Sequence, residues 1–377
     1  MADARTATVV GGGVAGLASA VSLAQAGWQV TVLERAPEFG EVGAGLAITG
    51  NGMTALAAIG AADAVRAAGY QTSTAGYQSA DGRWLMQIPD VPSLRKVTTI
   101  WGLHRQRLHA AVLEAARTAG GVELINGAEV TSVEPGQMDG GHARVTWRTG
   151  TEGHRRVSDL VVAADGVRST VRAQLFPGAP ARYSGSTCWR AVIPDTSTDG
   201  RLFEVWGPET EFGFLRVSEG ELYWFGYFRL RAGASLGDEL AAARDRFAGW
   251  SPRIRSIVAA TTADQLMRHD VYFLPGGLHT YIRGRVVMVG DAAHAALPTV
   301  GGGASAALED GVCVGRRRLA ADGTQRPAAP GPAQAPDQSG HPGHRRDAPV
   351  TVRPTRLLRC SPWAPRSACR FAESQHA

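Results

Sequence analysis

Ala7-Thr8-Val9-Val10-Gly11-Gly12-Gly13-Val14-Ala15-Gly16 is the stretch on which the fold turns. The residues before Gly11 are β-rich, and the three glycines permit a turn that other residues resist. Residues 14–26 are small and apolar, suited to a buried helix, and Gly27 stands where a helix C-terminus is expected. Gln29–Leu33 then reads as a second buried strand. Strand, glycine turn, helix and strand make the βαβ start of a doubly wound sheet. Each glycine of Gly11-x-Gly13-x-x-Gly16 has a physical task. Gly11 allows the tight turn, Gly13 lets a pyrophosphate approach the backbone, and Gly16 lets helix and strand pack closely. The helix start offers free N–H groups and a positive dipole end to phosphates. Glu34 closes the second strand, placed for ribose hydroxyls. A dinucleotide site follows.

Outward from this start, the spacing predicts a helix over 105–118 and strands at 122–125, 129–133, 143–147 and 159–164. Residues 183–283 change character, with aromatic residues in alternating runs at 202–206, 212–217 and 222–228, the pattern of an antiparallel sheet. Residues 236–248 and 252–260 read as helices on its edge. An apolar strand at 285–289 then fits the centre of a parallel sheet. The expected architecture is α/β. A Rossmann-like domain (1–75, 100–182 and 284–315) carries an inserted, mostly antiparallel β-sheet substrate domain (76–99 and 183–283).

The 377 residues are 44% hydrophobic and 19% charged, as in a folded globular chain. No run of eighteen apolar residues exists, so no membrane span is expected, and the first residues lack an apolar signal core. A cytoplasmic protein, monomer or homodimer, is the expectation. Cys188, Cys313, Cys360 and Cys369 have no metal-ligand spacing. The net charge of +5 comes from the end of the chain: eleven arginines face four acids from Arg316 onward, and residues 1–315 are slightly acidic. Nucleic acid is therefore not an expected partner. Nine of the 20 prolines also lie in 316–377. Two readings stay open there: linker-like disorder, or the product of a shifted reading frame in a GC-rich gene, which Lys96 as the single lysine suggests.

Two later motifs separate FAD from NAD. Asp159-Leu-Val-Val-Ala-Ala-Asp165-Gly166-Val-Arg168-Ser169, through Arg172, resembles the Asp-Gly motif of flavoprotein aromatic hydroxylases. Arg285-Val-Val-Met-Val-Gly290-Asp291-Ala-Ala-His294, with Pro298 and the glycines 301–303, resembles their Gly-Asp motif. His104-Arg105-x-x-Leu108 resembles the segment whose arginine meets the FAD pyrophosphate. The chain from about 6 to 313 is thus similar to the FAD-dependent aromatic-ring monooxygenases of the salicylate- and urate-hydroxylase type, with the p-hydroxybenzoate-hydroxylase fold.

The resemblance implies FAD as cofactor, NADH or NADPH as electron donor, and O₂ and an aromatic or heteroaromatic small molecule as substrates. It implies hydroxylation through a flavin C4a-hydroperoxide, with the protein positioning substrate and excluding water. It assigns cofactor contacts to Gly11, Gly13, Ala15, Gly16, Glu34, Arg35, Ala47, Arg105, Val130, Asp165, Asp291, Gly301 and Gly303. Asp291 would accept from ribityl hydroxyls. The helix over 304–314 would turn its N–H groups toward the flavin, where negative charge accumulates on reduction. The family usually has Gly-Gln-Gly in this loop; here it is Gly301-Gly302-Gly303-Ala304-Ser305.

Substrate-side candidates are Arg190, Arg216, Tyr223 and Tyr227, with Arg190, Tyr223 and Pro298 as the catalytic set. An arginine holds a carboxylate or phenolate, and a tyrosine orients a phenol. Urate-type members carry an arginine near Glu211, and an acid there argues against urate. His104 reads as a helix-start residue and His294 as a flavin-loop residue. The alternatives are an epoxidase or FAD-dependent dehydrogenase on the same fold, or a non-functional truncated flavoprotein.

Overall fold

A computed structural model describes residues 4–41, 43–195 and 199–316. The expectation for the tail, beyond Arg316, lies outside the described residues.

The opening βαβ unit forms as its glycines dictate. Thr6–Val10 and Gln29–Leu33 lie side by side in parallel, joined by the buried helix Val14–Gln25. They belong to a six-stranded sheet in the order Ile282–Arg283, Val286–Met288, Leu160–Ala163, Thr6–Val10, Gln29–Leu33, Val122–Ile125. All neighbours run parallel except the first pair. The apolar runs at 160–163 and 286–288 occupy the middle of this sheet, where both faces are covered. Gly303–Arg316 packs along Val14–Gln25: a Cβ on Gly311 would meet the Ala15 carbonyl at 2.9 Å, and one on Gly315 the Ser22 backbone at 2.3 Å. Beside the six-stranded sheet, Ala128–Glu134, Ala143–Thr149 and Glu152–Ser158 form an antiparallel sheet of three. Its last strand was not expected, because Glu152-Gly-His-Arg-Arg shows no apolar alternation.

A long sheet runs in the order Met267–Phe273, Arg182–Pro194, Glu221–Arg229, Thr210–Ser218, Leu202–Gly207, Tyr70–Ser79, Thr99–His104, Gly45–Thr49. It is antiparallel except where Leu202–Gly207 runs beside Tyr70–Ser79. Gly45–Thr49 and Thr99–His104 reach it from segments that sequence reasoning gave to the nucleotide-binding part. The expected helices form as Glu239–Arg246 and Pro252–Ala259. The first starts three residues later than expected, at Glu239, because Asp238 caps it: its side chain accepts from the Ala241 N–H.

Alternation along the strands of this sheet sorts side chains between two faces. Trp189, Phe212, Phe214, Trp224 and Phe228 point toward the two helices and pack with Phe247, Ile254 and Ile257. The opposite face carries Arg190, Glu204, Glu211, Tyr223, Phe225 and Tyr227.

Candidate active site

The three sequence motifs meet at one end of the six-stranded sheet. Gly11 follows the first strand at φ +106°, and a Cβ there would sit 2.4 Å from the Ala164 carbonyl oxygen, beside Asp165. A Cβ on Gly16 would lie 2.0 Å from the Gly11 carbonyl oxygen. Gly290, also at positive φ, approaches Ala15 so closely that a Cβ would be 2.9 Å away. Fingerprint, Asp-Gly and Gly-Asp segments are therefore packed backbone to backbone at positions only glycine fits.

Gly13 caps the helix Val14–Gln25 without any side-chain hydrogen bond to the helix start. A Cβ on it would meet only a Glu41 carboxylate oxygen, at 3.8 Å. The backbone N–H groups are thus left for an anion, and the cradle is open where a pyrophosphate needs it. Arg105 opens its helix beside this point, its N–H bonded to the Ala44 carbonyl. Its guanidinium donates to both Glu41 oxygens, at 2.6 and 3.3 Å. Glu34 accepts from the Gly12 N–H at 2.7 Å and the Ala36 N–H at 2.8 Å. It braces the glycine turn, a role beyond the ribose contact expected of it. Arg35, next in the chain, is exposed, and Val130 is half-buried in the three-stranded sheet.

Asp165 accepts from the Ser169 hydroxyl at 2.5 Å and the Val171 N–H at 3.1 Å, so it organises the turn into Thr170–Leu175. Asp291 opens the short helix Asp291–His294 with its side chain turned out to solvent. The surrounding protein still raises its carboxyl pKa by desolvation, against the pull of Arg105, His294 and Arg172. His294 hydrogen bonds Asp310 at 2.6 Å, and that bond raises the imidazole pKa. His104 is a helix-start residue, accepting from the Gln106 N–H. Gly301 and Gly303 border a turn where an added Cβ would meet nothing, following Pro298, which is exposed. Ser305, in the departing part of this loop, accepts from the Thr49 N–H at 3.1 Å. These residues fit a dinucleotide with its phosphates at Gly13 and Arg105 and its polyol at Asp291.

Two residues to which sequence reasoning gave no role of their own hold the motifs together. Arg172 is 3% exposed and donates to the Ala292 carbonyl at 3.0 Å, the Ala179 carbonyl at 3.2 Å and the Val167 carbonyl. It bolts the Asp-Gly loop to the Gly-Asp loop. His109, also buried, meets the Gly12 carbonyl at 2.8 Å. Its position one turn after Arg105 was the available signal.

On the substrate side, Arg190 donates to the Tyr227 hydroxyl at 3.0 Å. Leu297, immediately before Pro298, packs against the cluster of Cys188, Tyr227 and Val271, so the glycine loop and this sheet face adjoin. Tyr223 belongs to a cluster with Ala44, Ile100, Leu215 and Val217 against which Ala47 packs, and its ring lies against Gly45, where a Cβ would be 2.3 Å away. Burial lifts its phenol to about 12. Arg216 does not join this group: it is paired with Asp195 and bonded to the Tyr70 hydroxyl at 3.0 Å. Trp189 and Trp224 are packing residues of the other face, whereas Trp206 stands on the site face against Tyr77, rings 4.8 Å apart.

Beyond them are two acids, Glu211 buried and Glu204 half-buried. Glu204 lies opposite Gly213 and beside Tyr77, and Glu211 lies opposite Trp206 and Tyr227. Glu211 is 3% exposed, and its Oε1 has no hydrogen-bond partner among the described residues. Burial pushes Glu204 up to about 7, and burial with the neighbouring Glu204 pushes Glu211 up to about 8.

A family model described as "FAD binding domain" matches residues 4–323. The chain is 35% identical over 325 residues to a 2-heptyl-3-hydroxy-4(1H)-quinolone synthase of Pseudomonas aeruginosa, covering 82% of this chain and 80% of that protein. It is 33% identical over 316 residues to an aurachin C monooxygenase/isomerase of Stigmatella aurantiaca, with the same coverage. The crystal structure of Klebsiella pneumoniae HpxO complexed with FAD and uric acid superposes with a TM-score of 0.72 at 27% identity, over 82% of this chain and 79% of that one. The chain therefore belongs to the FAD-binding-domain family and is an FAD-dependent monooxygenase of the aromatic-hydroxylase type.

Proposed function

We propose that the protein uses NADH or NADPH and O₂ to hydroxylate a flat N-heteroaromatic or amino- or hydroxy-substituted aromatic molecule, with a 4-quinolone-like ring favoured over urate. The bound flavin supplies electron transfer from the nicotinamide and activation of oxygen. The chain's own task is to hold the ring, orient it and keep water away. What carries the reading is one adjacency: Leu297 and the Pro298 loop against the sheet face that bears Arg190, Tyr223 and Tyr227. Arg190 and Tyr227 offer N–H and O–H donors to an oxygen on the substrate. Tyr223, Phe225 and Tyr227 give that oxygen a flat, largely apolar surround, in which each hydrogen bond is stronger than in water. Glu211, near which urate-type members carry an arginine, disfavours an anionic purine. A relative named for a 4(1H)-quinolone product agrees with this preference.

The test is a panel of quinolones, hydroxypyridines, hydroxybenzoates, aminohydroxybenzoates and urate with FAD-loaded protein. NADH and NADPH consumption is followed, and products formed under ¹⁸O₂ are analysed by mass spectrometry. One labelled oxygen in an aromatic product is expected. Substrate-stimulated oxidation with no label in any product would instead make the protein a dehydrogenase or oxidase.

A further inference from the structure

The most polar feature of the substrate face is also its least satisfied. Glu211 is enclosed among Trp206, Tyr227 and Gly213, with Glu204 on the diagonal, yet among the described residues its Oε1 meets no donor. A buried polar atom without a partner costs stability, so it persists where something outside the chain completes it. Its surroundings describe that partner. Tyr227 lies directly opposite on one side and Trp206 on the other, while Phe225 folds its ring over Gly213, where a Cβ would be 2.1 Å from it. Tyr77 stands beside Glu204, and its phenol is raised by burial, Glu204 and Glu211 together. Tyr77 and Trp206 remain partly exposed, so the acid pair lies beneath a partly open aromatic pair. Flat walls around a single acceptor fit the edge of a planar heterocycle.

We infer that Glu211, with Glu204 beside it, is the specificity-determining acid of the substrate site, accepting a hydrogen bond from a ring N–H of a planar heteroaromatic. Arg190 stands on the strand next but one and two residues along, which puts the two Cα atoms roughly 12 Å apart. A flat heterocycle with its oxygen turned to Arg190 and its N–H to Glu211 fits between two such side chains. Either protonation state of Glu211 can leave Oε1 an acceptor, because a carboxylic acid carries its proton on one oxygen only. This assignment rests on the aromatic-hydroxylase reading and refines it.

The experiment compares 2-methyl-4(1H)-quinolone with 2-methylchromone, in which a ring oxygen replaces the N–H at the same size. Binding is read from the flavin absorbance change of FAD-loaded wild type, Glu211→Leu and Glu211→Gln, and hydroxylation of the quinolone from product formation. Wild type is expected to prefer the quinolone by at least about tenfold, as a site built around one donor rejects its absence. Glu211→Leu should bring the two ligands to within about threefold, and Glu211→Gln, which keeps an acceptor, should retain part of the preference. Flavin content and melting temperature of the variants verify folding; removal of an unpartnered buried carboxyl should leave Glu211→Leu at least as stable as wild type. An unchanged preference in folded Glu211→Leu overturns the assignment. So does a wild type that hydroxylates only aromatics lacking a ring N–H. A wild type that hydroxylates no member of the wider panel overturns the parent reading instead, and the assignment with it.

Discussion

The guanidinium of Arg105 clasps Glu41 with Nε 2.6 Å from Oε2, directly beside the uncapped helix start at Gly13. A pyrophosphate bound at that helix start would therefore compete with Glu41 for one cation. Glu41→Gln removes the competitor and a nearby negative charge, and should tighten FAD binding about two- to fivefold, the scale of a partly exposed ion pair. Arg105→Met should weaken it. Titration of apoprotein with FAD, followed by flavin fluorescence, measures both; weaker binding in Glu41→Gln would show that the carboxylate itself helps hold the nucleotide.

Arg172 satisfies carbonyls in two loops that the chain separates by more than a hundred residues. Arg172→Met leaves those carbonyls buried and unpaired, at about 1–3 kcal/mol for each one stranded. A fall in melting temperature and a loss of retained flavin on gel filtration should appear together. Arg172→Lys should rescue little, since an ammonium cannot reproduce the planar fork. Full flavin retention in Arg172→Met would show that the two loops hold without the bolt.

Gly16→Ala places a methyl 2.0 Å from the Gly11 carbonyl oxygen. The turn must open, and the cradle at Gly13 opens with it. Flavin affinity should drop by roughly tenfold or more, a change of about 1.4 kcal/mol per decade. The purified variant should be pale or colourless. Gly27→Ala is the control for chain-wide damage, although its φ of +84° makes it mildly strained; no atom lies within 4 Å of its added Cβ.

Glu204 and Glu211 give a pH signature of definite sign. Their folded pKa values of about 7 and about 8 exceed the ordinary glutamate value of 4.5, so the folded state holds protons that the unfolded chain releases. Their contribution to stability is complete below about pH 4.5 and is lost as pH rises through 7 and 8, by at most about 1.4 kcal/mol per pH unit for each group. Wild type should lose melting temperature faster than Glu211→Leu between pH 5 and 8.5. Parallel curves would mean that Glu211 titrates normally.

The nucleotide side was legible because its demands are local. Gly11, Gly13, Gly16 and Gly290 are each required by atoms within one tight turn or one close approach, and the chain marks such places with glycine. The roles of Arg172 and His109 were not legible, since their partners are set by how distant loops meet. The acid pair was hidden for a related reason. Alternation revealed the strands carrying Glu204 and Glu211, but only the pairing register brings the two together. The strand Glu152–Ser158 escaped notice because a charged edge strand leaves no apolar rhythm. Arg216 had the right residue type and the right strand, yet Asp195 and Tyr70 occupy it.

The two faces of the long sheet carry separate burdens. Trp189, Phe212, Trp224 and Phe247 anchor the sheet to its helices and leave Arg190, Glu204, Glu211 and Tyr227 out of that anchorage. A substitution on the recognition face can alter what is bound without loosening what keeps the sheet folded. A single substitution there can thus try a new ring system on an unchanged frame, a division of labour that suits one architecture to purines, benzoates and quinolones alike.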